Sequence, residues 1–257
     1  MKESWMRPRL FSAGSAAMTI SLVILCCFVS SAASADLPHA TSDGTLAREI
    51  DVAPSDLPTT ITWTSSSQTP NTAAQTKQAE QAVTCMQKSG AVAQSISPDP
   101  FGTSERTGGP VVADVESPLF AKQASTVGLP TVSSDVTFMK TAAQATTDLA
   151  AFATNAGLAC ISTLIGTLTA AAVGHQIGMT NSFIQIPRHG TGVGGVGVRF
   201  AITDAGLNGT LYDDAFFYAE GTAEVSLSFV NLDSHVPTTW ENSITAKVMA
   251  RAQRLVG

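Results

Sequence analysis

Four histidines are the first residues to test for chemistry, and they are scattered: His39, His175, His189 and His235. None has a second His four positions along a helix, the spacing that holds a zinc ion on one face. No metal centre is therefore expected. The chain has neither a G-x-S-x-G elbow nor an S-x-x-K pair, so no catalytic serine is assigned. A His in a loop is read as solvated, and each of the four falls in a tether, loop or turn. Gly192-Val193-Gly194-Gly195-Val196-Gly197 does satisfy the dinucleotide pattern G-x-G-x-x-G. That pattern cradles a pyrophosphate only where it follows a strand and opens a helix. Here it leads into the alternating run Val196 to Thr203, a strand, so it reads as a loop entering a strand and no cofactor is expected.

Asp213-Asp214 is a carboxylate pair inside the apolar run Leu211 to Ala219. Adjacent strand residues point to opposite faces, so the two cannot work as one acid–base couple. One of them must face inward, where a carboxylate needs a partner. Arg199 on the neighbouring strand is placed to supply it, as a structural ion pair or as part of a ligand contact. Arg188-His189 follows Pro187 at a strand end, a place where polar groups line the mouth of a cleft. Arg188, His189, Arg199 and Asp213 are thus the candidate cleft-rim residues.

The elements that must position these groups are legible in turn. Thr72-x-x-Gln75, Thr141-x-x-Gln144 and Thr238-x-x-Glu241 are three capping boxes, each marking a helix start. The first helix carries Ala79, Ala82, Val83 and Met86 at helical spacing, with Cys85 in its last turn before Gly90. Residues 91–110, with Pro98, Pro100, Gly102, Gly108, Gly109 and Pro110, read as loop. Val111 to Glu116 and Val132 to Phe138 are strands. The second helical region shows Ala142, Ala145, Leu149, Phe152 and Ala156 as one stripe, then Cys160, Ile161, Leu164, Ile165 and Leu168 as a second apolar face, with Gly157 as a kink in the helix or its end. A meander follows: Met179 to Ile186, Val196 to Thr203, Leu211 to Ala219 and Thr222 to Phe229. Two of these runs alternate with period two. Asn208-Gly209 and Glu220-Gly221 are its turns, the first demanding positive φ at both residues. The closing helix has Trp240, Ile244, Val248 and Leu255 on its dry side. Helix, two strands, long helix, four-strand meander, helix is an α+β pattern: an antiparallel sheet packed by helices, an α/β sandwich.

Residues 1–35 read as an export signal. Lys2, Arg7 and Arg9 precede the apolar run Ala16 to Val29, and Ala33-Ser34-Ala35 is an A-x-A cleavage pattern. Cys26 and Cys27 are the alternative, lipid-anchored processing points, with Leu25 too large for the usual lipobox. Residues 36–71, rich in Ser, Thr and Pro, read as a tether ahead of a domain spanning 72–257, with one short strand at Ile61-Thr62-Trp63. Cleavage after Ala35 removes three basic residues and Glu3, leaving 11 Lys+Arg and 19 Asp+Glu of the chain's 14 and 20. That acidic balance gives no electrostatic reason to bind nucleic acid. Only Cys85 and Cys160 remain in the mature chain, and an oxidising compartment would join them as a structural staple. The spacing is not C-x-x-C, so a redox pair is disfavoured.

Several stretches carry a resemblance: Asp56-Leu57-Pro58 with Trp63, Cys85 closing a helix, Ala113-Asp114-Val115-Glu116-Ser117 with Phe120, and Val132-Ser133-Ser134-Asp135-Val136-Thr137-Phe138. It continues through Ala145, Asp148-Leu149 and Phe152 before Cys160, Pro187 ahead of the Gly-rich turn, and Arg251. Over roughly residues 55–255 the chain resembles exported actinobacterial proteins of the LpqN-type lipoprotein group and the extracellular sensor domain of PknH-type kinases. The resemblance implies a PsbP-like α/β sandwich that binds small molecules or protein partners outside the membrane and is not an enzyme. The chain departs from the kinase sensor in lacking a second disulfide and a kinase domain. The expected function is an exported, non-catalytic envelope binding domain for a small-molecule or lipid ligand or an envelope protein partner. It touches the membrane only through its signal or a lipid anchor. The alternatives are an exported hydrolase acting on envelope material, which needs a His paired with an acid or Ser in a concavity, and a structural envelope protein.

Overall fold

The computed structural model describes residues 41–66, 77, 81, 84–86, 88, 111–123, 129–173, 176–186, 194–204 and 209–257. In chain order the elements are α1 (Thr41–Ile50), a 3-10 turn (Pro54–Asp56), β1 (Trp63–Ser66), β2 (Val111–Glu116), β3 (Leu119–Lys122) and β4 (Thr131–Met139). They continue with α2 (Ala142–Phe152), α3 (Asn155–Val173), β5 (Gly178–Ile184), β6 (Gly194–Asp204), β7 (Gly209–Glu220), β8 (Ala223–Leu232) and α4 (Thr238–Val256). Lys77, Gln81, Thr84 to Met86 and Lys88 are helical, around Cys85. The export signal and the capping box at Thr72 lie outside the described residues.

The strands form one antiparallel sheet in the order β1-β3-β4-β8-β7-β6-β5, with β2 also paired to β4. β5 to β8 are the expected meander, each strand beside the next. β2 and β3 share one edge of β4, separated by Ser117-Pro118. Proline has no N–H to give a ladder, and Ser117 patches the gap: its backbone N–H donates to Ser134 O (3.0 Å) and its Oγ accepts from Ser134 N (2.9 Å). β3 lies between the two strands that the sequence marks, with Leu119 and Phe120 buried on the sheet.

Alternation makes the sheet a two-sided wall. One face gathers Val132, Val136, Phe138, Phe216, Leu227 and Phe229 under α1 and α4. The other gathers Val198, Phe200, Ile202, Leu211, Ala215 and Phe217 under α2, α3 and the Cys85 stretch. This is the α+β sandwich that the pattern implied. Cys85 and Cys160 form a disulfide with Cα atoms 5.7 Å apart, tying the Cys85 stretch to α3. Among the described residues no single helix is long and apolar enough to cross a membrane.

Several expectations are corrected. The tether is not a tether from Thr41 onward: α1 buries Ala47 and Ile50, and Val52 and Leu57 follow them into the core. Composition marked the segment as loop because its apolar residues are few, but each of these four is buried. The strand there begins at Trp63 rather than Ile61. Thr141-Gln144 is a true capping box, with Gln144 N donating to Thr141 Oγ1 (3.2 Å) and Thr141 N to Gln144 Oε1 (3.1 Å). Thr238-Glu241 is not: Pro237 caps α4 without a side-chain bond, because Glu241 is buried elsewhere. The helical break falls at Ala153-Thr154, where α2 and α3 bend by 79°. Gly157 serves that corner from inside α3, since a Cβ on it would come within 2.2 Å of Ala151 O. Gly209 sits in β7 opposite Asp204, and Asn208 lies outside the described residues. The β7–β8 turn does use Gly221, with φ +54°, in the place where two-residue hairpins favour glycine.

Candidate functional site

β6 and β7 pair in a register that sets Arg199 beside Asp214 and Phe200 beside Asp213. The two aspartates therefore face opposite ways, as strand geometry requires. Arg199 belongs to Asp214, through Nε–Oδ1 at 2.6 Å and Nη2–Oδ2 at 2.7 Å. A two-point fork of this kind fixes the guanidinium plane. Asp213 is fully buried on the α2–α3 side, where Ser228 Oγ donates to its Oδ1 at 2.8 Å. Burial pushes its carboxyl up to about 7, with the Ser228 bond pulling the other way. Arg199 and Asp213 thus do not share a cleft rim. Arg188 and His189 lie outside the described residues, as do His39 and His175.

Around Arg199 the structure collects residues that sequence reading assigned elsewhere. His235, read as a solvated loop histidine, places Nδ1 3.5 Å from Asp214 Oδ2. Its ring lies 4.2 Å from that of Tyr212. Glu241, from the first turn of α4, hydrogen-bonds the Asp214 carboxyl. Burial first, and then the neighbouring Asp214 charge, push Glu241 up to about 8. In the Arg199–Asp214 pair the Arg199 side chain is 33% exposed and that of Asp214 1% exposed.

The surroundings make this an open shelf. α4 covers β8 and part of β7, but on the β5–β6 side of the same face Thr180, Ser182 and Thr203 are exposed and Arg199 and Ala201 half-buried. Farther along, Ile184 and Ile186 pack into the core of that face. They can do so because β6 is glycine there: a Cβ on Gly195 would stand 2.6 Å from Ile186 Cδ1, and one on Gly197 2.8 Å from Ile184 O. Gly194 and Gly197 of the G-x-G-x-x-G pattern, and Gly195 between them, are therefore strand residues, Gly195 and Gly197 under a close-packed pair of isoleucines. No helix follows them.

A second polar region lies on the α2–α3 face. β2, β4 and β8 set Glu116–Asp135–Ser226 and Asp114–Thr137–Glu224 in two cross-strand rows. Asp135 hydrogen-bonds the carboxyl of Asp114, and Glu224 that of Asp148 on α2. Burial, joined by the neighbouring carboxylates, raises Asp135 and Glu224 well above the usual carboxylate range and Glu116 to about 10. A cavity of about 10 Å3 beside these rows is lined by Ser133, Asp135, Ser226, Ser228, Ala215 and Phe217. That is about the room one water needs. Among the described residues no group of three His, Cys, Asp or Glu side chains has the geometry to hold a metal ion.

Comparison of the chain with protein-family models, with curated proteins and with solved structures finds no match.

Proposed function

We propose that the chain is an exported, non-catalytic binding domain of a cell envelope, sensor-like as the family resemblance implies, and that it meets its ligand or partner on the Arg199 shelf. One observation carries the reading: a guanidinium held by a buried carboxylate and still one-third exposed, beside an uncovered half of the sheet. Two of the five N–H groups of Arg199 go to Asp214. The remaining three are available to an outside acceptor, and the Tyr212–His235 ring pair, its planes 58° apart, supplies an aromatic flank. Such a site suits a small or amphipathic molecule bearing carboxyl or hydroxyl groups, or a partner segment with the same chemistry. The export part rests on the A-x-A signal and on the Cys85–Cys160 disulfide, which suits an oxidising compartment.

The test is to produce the full chain in an exporting bacterial host, purify it from the envelope or medium, and analyse both protein and bound molecules by mass spectrometry. We expect an N-terminus at Asp36 or a lipidated Cys26 or Cys27, an oxidised cysteine pair, and a co-purifying molecule whose yield falls at least about tenfold in Arg199→Met, the loss of one charge-assisted pair. A cytoplasmic product with both thiols free would end the export reading. Equal ligand content in the variant would end the shelf reading.

The His235–Asp214 pair favours one second reading, an exported hydrolase. An imidazole backed by a buried carboxylate is a general base in form. Ester or amide turnover abolished by His235→Ala, with folding unchanged, would establish it in place of the binding reading.

A further inference from the structure

The sheet has two ends, and they are built differently. β1 closes one of them with four residues. β5 closes the other with seven, Gly178–Ile184, all paired to β6 in one unbroken register. Among the described residues β6 is its only paired strand, so one side of its backbone ladder is open. Proteins blunt such an edge with charges, proline, a bulge or a short strand. β5 has none of these: Gly-Met-Thr-Asn-Ser-Phe-Ile holds no charged residue and no proline. Five of its seven residues are exposed. Phe183, at 41%, is the more exposed of the two large apolar residues that face water among the described residues. The strand is also uneven along its length. Met179, Asn181 and Phe183 stand on the α3 side, opposite Ile202, Phe200 and Val198. Met179 lies under α3, where a Cβ on Gly166 would come within 3.3 Å of its Cε. Phe183, four residues on, is left open.

We propose that β5 is the pairing edge for a second copy of this chain: two β5 strands run antiparallel about a two-fold axis through Asn181 and join two sheets into one. Adding a strand to an open edge gains main-chain hydrogen bonds, and the side chains set the choice of partner. The composition of β5 suits a copy of itself. With Asn181 opposite its own counterpart, every residue of the strand pairs, and any other centre shortens the ladder. Opposed residues share a face, so the exposed Phe183 meets the partner's Met179, a thioether against an aromatic ring. That is the end which α3 covers, so the open end of each strand is matched to the covered end of the other. Thr180 meets the partner's Ser182 on the opposite face, and no charge is set against a like charge. A charged partner strand would find no counter-charge on β5, and this favours a second copy as the occupant. The contact is isologous and uses up both edges, so it stops at two copies. An axis normal to the sheet exchanges ends and not faces, so both Arg199 shelves stay on one side of the joined sheet. The pairing does not depend on Arg199, and either reading can fail without the other.

One strand pair is a small interface, so the dimer is reversible and concentration decides it. The experiment is sedimentation equilibrium on the full, oxidised chain from about 5 μM to about 500 μM, the range of weak association. We expect the mass to climb from one copy toward two. Phe183→Lys, at an exposed position, should weaken association at least about tenfold by setting two like charges into the joined edge. Val112→Lys, at the other exposed apolar residue (37%), on β2, should leave it unchanged. The register has its own readout. Asn181→Cys brings two thiols together with Cα atoms about 4.5–5.5 Å apart, within disulfide reach, and should cross-link on oxidation. Thr180→Cys sets its two copies about 8 Å apart, out of reach, and should not. Equal association in Phe183→Lys, or cross-linking as ready through Thr180→Cys as through Asn181→Cys, would overturn the proposal. A single copy at every concentration would overturn it too. Amide exchange slowed at consecutive rather than alternate residues of 178–184 in that monomer would then assign the edge to a segment of the chain itself.

Discussion

Arg251 is the residue on which the N-terminal segment depends. From α4 it reaches Asp56 through Nη1 (2.9 Å) and Nη2 (2.6 Å), and the carbonyls of Ile50 (3.1 Å) and Asp51 (2.7 Å) through Nη2. Lys247, one turn earlier, adds the carbonyls of Ser55 and Asp56. Asp51 in turn accepts from Ser134 Oγ, and Ser134 Oγ accepts from Val52 N. Truncating Arg251 leaves Asp56, 3% exposed, in the interior without its cation, with Ala53 N still donating to it at 2.8 Å. We expect Arg251→Ala to cost about 3 kcal/mol in chemical denaturation and to open a protease site between residues 41 and 60. Arg199→Ala should cost less, about 1–2 kcal/mol, because its pair is a third open to solvent. That difference, read from urea midpoints of the two variants, separates a clamp that holds the fold from a site that faces outward. Both arginines were visible as residues, but only Arg199 had a nameable partner, because its partner lies on the adjacent strand. Asp56 lies 195 positions from Arg251, and nothing local links them.

Elements show the same division. The Cys85–Cys160 link closes 75 positions, so in the chain-entropy account its removal by the double Ser substitution should cost about 4 kcal/mol. Calorimetry of that variant would check it, and an unchanged Tm would show that the link carries no stability. At the other end of α2, Thr141→Ala removes one side of a complete capping box and should cost about 1 kcal/mol. The matching change at Thr238 should cost near nothing, since no side-chain bond caps α4. Both sites carry the same four-residue signature. They differ because Glu241 is drawn to Asp214 across the sheet and so is not available to the helix end.

For the whole molecule, the decisive quantity is how many carboxyls are buried without a cation. Asp213 is pushed up to about 7, Glu241 to about 8 and Glu116 to about 10, each chiefly by burial. A carboxyl raised on folding stabilises the fold fully below its unfolded value near 4, and that contribution is lost as pH rises through the folded value. The domain should therefore have its highest Tm near pH 4–5 and lose stability steadily toward pH 9, the reverse of an acid-labile protein. Thermal scans across that range test it, and a maximum at pH 8 would refute it.

The meander, the antiparallel sandwich and the cysteine staple were legible in the sequence, because each follows from periodicity of two or 3.6, from turn residues, or from counting thiols. The opposite facing of Asp213 and Asp214 was legible for the same reason, since alternation is a local rule. The tertiary structure alone decided which aspartate took Arg199, that His235 and Glu241 joined them, that residues from Thr41 onward belong to the core, and that the acidic side of β2, which alternation leaves facing away from the dry side, became part of a buried set of carboxyls. Those outcomes depend on which distant side chains arrive at the same place and how much water they exclude, and a one-dimensional pattern contains neither quantity.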